Sequence, residues 1–282
     1  MSREDNMLIF QDTERICRSN NRIQNAIKKS IQHQELILGA DIIPNMVQNK
    51  YEKSAEIILS KKRSFEAASA YKKQKVCVHN FASATNPGGG VTRGSNAQEE
   101  CLCRCSDLYF CLNTPEMWNG FYKPHRNAKN PIHNNDVIYT SDVIVFKTDT
   151  ERPKLMKESD WYHVNVITCA APNLRERPSN KFNEGDGNRA AKITDAELMS
   201  IHEKRLKRIL DVAVSKGNEV VILGAFGCGA FSNNPEVVAQ AAKNVIDEYK
   251  YAFKLIEFAV YCNPRDERNY NIFKKILKDD DV

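Results

Sequence analysis

No stretch of the chain approaches the ~20 consecutive apolar residues that a bilayer-spanning helix needs, so a membrane protein of helical type is not expected. Repeats and low-complexity tracts are missing too, which excludes solenoids and arrays. Blocks of one charge sign are short: Lys61-Lys62-Arg63 and Lys72-Lys73 are the basic runs, too small for a dedicated nucleic-acid site. The opening residues, MSREDNMLIFQDTERIC, mix acids with a brief apolar patch and do not resemble a secretory leader, so a cytoplasmic protein is expected. Cysteine is not scarce, but its pairing is. Nine residues, an odd number, are scattered through apolar contexts, as free thiols in a reducing compartment would be. Cys101, Cys103, Cys105 and Cys111 are spaced C-x-C-x-C rather than C-x₂₋₄-C, and positions i, i+2 and i+4 of a helix do not converge on one ion. They read as small buried hydrophobes.

What is present is a chain of 282 residues with 41% hydrophobic side chains, enough to bury a large core. The net charge of +5 suits an anionic ligand and an ordinary solvated surface equally well. Residues 1–60 read as a helical extension, with Ile16, Ile23, Ile27 and Ile31 along one face. Residues 61–282 read as the main domain. Ser64 is placed to cap a short helix through Tyr71, with Glu66 in its first turn. Strand and helix then alternate. Lys75–Val78 is a buried strand, Gln98–Leu112 a helix, and Val137–Tyr139, Val143–Phe146 and Val164–Thr168 are strands. Thr194 and Glu197 form a capping box, with Ile193 and Leu198 spaced as a hydrophobic staple, and that helix ends near Gly217. Glu219–Leu223 is a strand, and Pro235 opens a helix to about Tyr249. Leu255–Tyr261 is a strand and Arg268–Leu277 a last helix. The order predicts an α/β domain, a mixed sheet sandwiched between helices.

Two glycine-rich loops follow apolar strands, Asn80–Asn96 and Gly224–Asn234. Ligands of open α/β sheets bind outside the carboxyl ends of strands, so the two loops predict one cleft. In the first, NFASATNPGGGVTRGSNAQEE, the run Gly88–Gly90 lets a ligand approach backbone amides, and a helix N-terminus follows at Gln98. A flexible surface loop explains a lone glycine run equally well, and Glu99 and Glu100 at a helix start serve the macrodipole without further function. The second loop, LGAFGCGAFSNNP, has the layout of a phosphate cradle. It is not a Walker A loop, because no Gly-Lys-Ser/Thr closes it, and G-x-x-G-x-G is the wrong order for a dinucleotide fingerprint. Phe226 and Phe231 either pack in the core or offer faces to a ribose or adenine.

GGG, seven residues, then QEE (Gly88–Gly90 and Gln98–Glu100) resembles the hallmark of poly(ADP-ribose) glycohydrolases. The flanking NFASATNPGGG, the helix CLCRCSDLY, the strand VITCAAPN and the loop GAFGCGAF resemble the bacterial-type branch, over about residues 64–277. The resemblance implies the macrodomain fold. It implies Glu100 as catalytic acid/base, with Glu99 and Asn86 holding the distal ribose. Gly88–Gly90 would line the diphosphate and distal ribose, Gly227–Ala230 would form the second diphosphate loop, and Phe231 would order the distal ribose. Phe81, Ala82, Val91, Gln98, Gly224, Phe226, Cys228 and Gly229 complete the expected substrate contacts, and Glu99 joins Glu100 as the catalytic pair.

Such a site would cleave the ribose–ribose O-glycosidic bond through an oxocarbenium-like state. Glu100 would protonate the departing ribose oxygen and then take a proton from the attacking water. To do so it must hold its proton near neutral pH, toward which Glu99, the bound diphosphate and burial all push. No metal or cofactor is expected. His79, on a strand, and His163, beside one, read as core or surface residues. The expected partners are ADP-ribose or poly(ADP-ribose) and ADP-ribosylated macromolecules, with no membrane, and the protein is expected to be a monomer. A hydrolase of mono-ADP-ribose on protein or nucleic acid would use the same cleft. A non-catalytic reader would need no paired carboxylates, so QEE weighs against it.

Overall fold

The computed structural model describes residues 1–44, 49–181, 184–263 and 265–278. Two helices open the chain, α1 (Arg3–Ser19) and α2 (Asn21–Gln32), followed by strands β1 (Glu35–Ile37) and β2 (Glu56–Ser60). Next come α3 (Ser64–Ala68), β3 (Val76–Phe81), α4 (Gln98–Cys105) and α5 (Leu108–Leu112). Short α6 (Pro115–Met117) and α7 (Lys123–Ala128) flank one π-helical turn. Then β4 (Val137–Val145), β5 (Tyr162–Cys169), α8 (Asp195–Ser215), β6 (Val220–Leu223), α9 (Pro235–Ile246), β7 (Leu255–Ala259) and α10 (Arg268–Lys278) complete the order.

The strands form one seven-stranded sheet, β1-β4-β5-β3-β6-β7-β2. From β5 to β2 all neighbours are parallel, while β4 runs antiparallel to both β5 and β1. Successive side chains of a strand face opposite ways, and here both faces are covered. Cys77, Ile167, Val221 and Ile256 pack against Ile209 and Leu210 of α8, Val238 and Val245 of α9 and Phe273 of α10. Their neighbours Val76, Val78, Val166, Val220 and Ile222 pack on the other side against Phe65 of α3, Leu102 and Cys105 of α4 and Leu112 of α5. The mixed sheet between helical layers is the architecture expected. No helix among the described residues is long and apolar enough to cross a membrane.

Three local expectations need correction. The helical character of residues 1–60 stops at Gln32, and Asn20 divides it by capping α2, its side chain accepting from the Ile23 amide at 3.2 Å. The rest supplies the strands at both edges of the sheet, β1 on β4 and β2 on β7. The helix expected over Gln98–Leu112 breaks at Ser106, which is extended and bridges to Val145. The Asp107 carboxylate accepts from the Ile144 amide at 3.0 Å, so a short polar side chain draws the backbone out of helix toward β4. Arg63, not Ser64, occupies the cap of α3, and Glu66 accepts from the Arg63 amide at 3.1 Å. The capping box at Thr194 and Glu197 is present, and Gly217 closes α8 with a φ of 70°.

Candidate active site

β3 and β6 are parallel neighbours at the centre of the sheet. The loops leaving their carboxyl ends therefore stand side by side and wall a cavity of about 610 Å³. Phe81, Gly89, Gly90, Gln98, Glu99 and Glu100 line it from the first loop and α4. Phe226, Gly227, Gly229, Ala230 and Phe231 line it from the second.

The three side chains that open α4 divide the work of the first loop. Gln98 ties the helix to the end of β3: its carbonyl accepts from the Phe81 amide at 2.9 Å, and its amide donates to the His79 carbonyl at 2.8 Å and to Ser64 Oγ at 2.9 Å. Glu99 turns inward and is almost fully buried. Its carboxylate accepts from the Ser83 amide at 2.8 Å and from Asn80 Nδ2 at 3.2 Å. Burial pushes its pKa up to about 8, and the Glu100 charge adds to that, against the Ser83 and Gly88 amides and the Asn80 side chain, which favour the charged form. Glu100 turns to the cavity. Its Oε1 accepts from the Gly90 amide at 2.9 Å, while its Oε2, buried and facing no protein donor, is left unpaired.

Gly88 and Gly89 both have left-handed φ, at 65° and 58°. A β-carbon on Gly89 would stand 2.5 Å from Glu100 Oε1 and 3.1 Å from Glu99 Oε2. The glycine run thus makes room for the carboxylates. Its amides are largely taken, Gly89 donating to the Asn86 carbonyl and Gly90 to Glu100. The second loop differs. Among the described residues, the amides of Gly227, Gly229, Ala230 and Phe231 have no hydrogen-bond acceptor. Free amides at a cavity wall are what an anionic oxygen binds.

Six of the expected contact residues stand behind the cavity surface. Ala82 bonds its amide to the Cys169 carbonyl, and Val91 is fully buried. Gly88 is hemmed in by Tyr109, and Gly224 by the Ala259 carbonyl and the Phe81 ring. Cys228 points its thiol back at the Phe226 carbonyl. The Asn86 side chain is engaged by the Glu184 carbonyl at 3.2 Å, by Thr85 Oγ1 and by the Arg126 guanidinium. Phe226 packs on His79 and Phe81, with centroids at 4.4 and 5.6 Å, and lines the cavity. Phe231 is half-buried.

The match to a family model described as the microbial-type PARG catalytic domain spans residues 4–148, just over half of the chain. The chain belongs to this family. Solved structures agree over nearly the whole length. It is similar to the poly(ADP-ribose) glycohydrolase (PARG) of Thermomonospora curvata, at 26% identity and a TM-score of 0.82, covering 97% of this chain and 99% of that one. It also resembles the same enzyme bound to the inhibitor ADP-HPD, at 26% identity and a TM-score of 0.78, covering 96% and 99%. The PARG of Deinococcus radiodurans in complex with ADP-ribose is 27% identical with a TM-score of 0.75, covering 90% and 97%. None of the curated proteins compared matches the chain.

Several residues of this microbial-type site carried no signal as single letters. Asn80 and Ser83 hold Glu99 and lie within the first loop, but nothing in the sequence points them at a carboxylate. Arg175 lines the cavity two residues past VITCAAPN. Asn173 Oδ1 at 2.9 Å and the Pro178 carbonyl at 2.6 Å hold its guanidinium 5.5 Å from the centre of the Phe231 ring. The Leu174 amide donates to the Phe231 carbonyl at 2.9 Å, so this turn grips both the backbone and the ring of Phe231. Arg3 and Arg63 reach the cavity from segments far from either loop. Among the described residues, no group of three or more His, Cys, Asp or Glu side chains is placed to hold a metal ion.

Proposed function

We propose that the protein releases ADP-ribose from poly(ADP-ribose) by hydrolysing the ribose–ribose O-glycosidic bond, with Glu100 as general acid/base. The observation that carries this is the Glu100 carboxyl at the cavity wall: Oε1 is fixed by the Gly90 amide, and Oε2 has no hydrogen-bond partner in the protein. A carboxyl lining the cavity with one oxygen unengaged can serve the bond being broken. The diphosphate of ADP-ribose would lie on the free amides of Gly227, Gly229, Ala230 and Phe231, which sets C1″ of the distal ribose against Glu100. The proton of the Glu100 carboxyl passes to the departing ribose oxygen as the C1″–O bond breaks. Water then adds to the oxocarbenium-like carbon, and its proton returns to Glu100, so the enzyme ends as it began. Glu99, protonated up to about pH 8 and pinned by Ser83 and Asn80, serves as a hydrogen-bonding neighbour to the ribose hydroxyls rather than a second proton shuttle. Family membership and the likeness to PARG structures holding ADP-ribose and ADP-HPD support this assignment. ADP-ribosylated macromolecules are then the partners, and a cytoplasmic monomer is the form in which we expect the enzyme to act.

Glu100→Gln tests it. The amide keeps the shape but cannot cycle a proton, so ADP-ribose affinity should stay within about tenfold while turnover of polymer falls by roughly 10²–10⁴. Turnover close to the parent's would move the acid/base role elsewhere, with Glu99 the first suspect. Release of ADP-ribose from a mono-modified protein but not from polymer would make the enzyme a mono-ADP-ribosyl hydrolase.

A further inference from the structure

The cavity does not end at Glu100. Beyond the Gly88–Gly90 run it is walled by Ser95, Asn96 and Ala97 and by Arg3 of α1. Ser95 belongs to the Glu100 side of the site, since its amide donates to the carbonyl of Gly90, the residue whose own amide holds Glu100. Two further arginines flank this wall, Arg63 at the cavity surface and Arg104 buried behind it. Arg104 donates to the Ser95 carbonyl at 2.6 Å and to Asn96 Oδ1, and Arg63 donates to Cys101 Sγ at 3.2 Å while lying 4.0 Å from the centre of the Tyr261 ring. Asp149 lines the same cavity, and both Arg63 and Arg104 stabilise its charge. Of the three arginines, Arg3 and Arg63 line the cavity itself.

The helix that carries Arg3 is anchored to the catalytic scaffold. The Asn6 side chain, itself buried, donates to the Gly94 carbonyl at 3.2 Å. Gly94 has a φ of 74°, and a β-carbon there would collide with the Arg3 carbonyl. Thr13 Oγ1 donates to the Arg104 carbonyl at 2.6 Å, joining α1 to the helix that bears Glu99 and Glu100. The buried Lys147 ammonium bonds the Ile9 carbonyl at 3.1 Å and Thr13 Oγ1 at 2.9 Å. Phe10 packs edge-on against Tyr109 at 5.0 Å. Arg3 is therefore delivered to the cavity by a fixed element.

We propose that the start of α1 completes a subsite for the departing group, and that Arg3 is a specificity-determining residue that favours an anionic leaving unit. The inference rests on the glycohydrolase assignment above. If the diphosphate of the released ADP-ribose occupies the second loop, the leaving group must exit on the other side of Glu100, where Ser95, Asn96 and Arg3 stand. In poly(ADP-ribose) that group is itself an ADP-ribose unit with a diphosphate, which a guanidinium pairs through charge-assisted hydrogen bonds.

The test compares two substrates of the same full-length enzyme: poly(ADP-ribose), and ADP-ribose bearing a 4-nitrophenyl group at C1″, whose leaving group carries no phosphate. The readout is the ratio of their kcat/KM values for the parent, Arg3→Ala, Arg3→Lys and Arg3→Glu. The ratio of polymer to aryl substrate should fall about fivefold in the alanine variant and at least tenfold in the glutamate variant. It should stay within about twofold in the lysine variant, which keeps the charge. Polymer KM should also rise with ionic strength in the parent and rise less steeply in Arg3→Ala. A ratio unchanged in Arg3→Glu, or parallel losses on both substrates, would overturn the subsite. Failure of the glycohydrolase assignment looks different, because the parent itself would then release no ADP-ribose from polymer.

Discussion

Placing a valine at Gly229 should abolish most ADP-ribose affinity without disturbing the fold. Gly229 is exposed at the cavity wall, its φ lies outside the left-handed region, and an added β-carbon meets nothing within 4 Å. A surface substitution of this kind changes stability by roughly 0.5 kcal/mol or less, so the melting temperature should move by no more than about 2 °C. The amides of Gly227, Gly229, Ala230 and Phe231 are the free donors of this loop. A β-branched side chain in their midst keeps a diphosphate away from at least one of them. A hydrogen bond to a charged group is worth about 1.5–3 kcal/mol, so Kd for ADP-ribose should rise by at least about 10- to 100-fold. Adenosine has no diphosphate, and its binding should hardly change. Gly227→Val would be the poorer experiment. Gly227 has a φ of 77°, and its β-carbon would stand 2.7 Å from Ala171 Cβ and 2.8 Å from Asn233 Cγ, so lost affinity there mixes with lost folding. Calorimetric titrations of Gly229→Val with both ligands, beside thermal melts, decide the matter. A folded variant that binds ADP-ribose like the parent would show that this loop is not the phosphate cradle.

Gly89→Ala should act on chemistry more than on binding: its methyl takes the place of Glu100 Oε1, 2.5 Å away, and displaces the carboxylate from the Gly90 amide. Steady-state assays should show turnover reduced by roughly 10²–10⁴, the range of general acid–base catalysis, with ADP-ribose affinity changed far less; near-parent turnover would count against the geometry. Glu99 predicts a pH trend. Its folded pKa of about 8 exceeds the ordinary value of 4.5, so between these values the unfolded chain binds fewer protons than the folded one. Stability from this residue is therefore lost as pH rises through that window and levels off above about 8. Melting curves of Glu99→Gln should gain on the parent from pH 5 to pH 8, and parallel curves would contradict the burial. A strong chelator should leave polymer hydrolysis unchanged, and activity lost to it and restored by a divalent ion would sink a mechanism run by carboxylates alone.

The central parallel strands and their loops were legible because a strand buried on both faces is an unbroken apolar run, as in Val220–Leu223, and glycine marks where such a run ends. The capping box at Thr194 was legible because its partners are three residues apart. Edge strands were not. Glu35–Ile37 and Glu56–Ser60 are short, and what makes them strands is pairing with residues 137–139 and 255–259, about 100 and 200 positions away. The break at Ser106 was hidden for the same reason, since the Ile144 amide that satisfies Asp107 belongs to another element. Within the site, glycine announced a close approach but not what approaches. The run at 88–90 reads like a phosphate loop, yet two carboxylates fill the space its missing side chains leave.

That exchange shows why QEE must sit in the first turn of a helix. Consecutive helical residues point about 100° apart, so three adjacent side chains face three directions. Gln98 faces the end of β3 and locks the helix to the sheet. Glu99 faces the polar groups beneath the loop, where burial keeps it protonated to about pH 8 and the Ser83 amide and Asn80 side chain hold it in place. Glu100 lines the cavity, with one oxygen restrained by the Gly90 amide and the other, buried, without a partner. Two chemically identical side chains thus enter different surroundings one step apart, which is what the separate roles proposed for Glu100 and Glu99 require. Moving the pair by one residue along α4 would rotate both by the same 100°, placing a carboxylate where Gln98 must both donate and accept, and neither role would survive the shift.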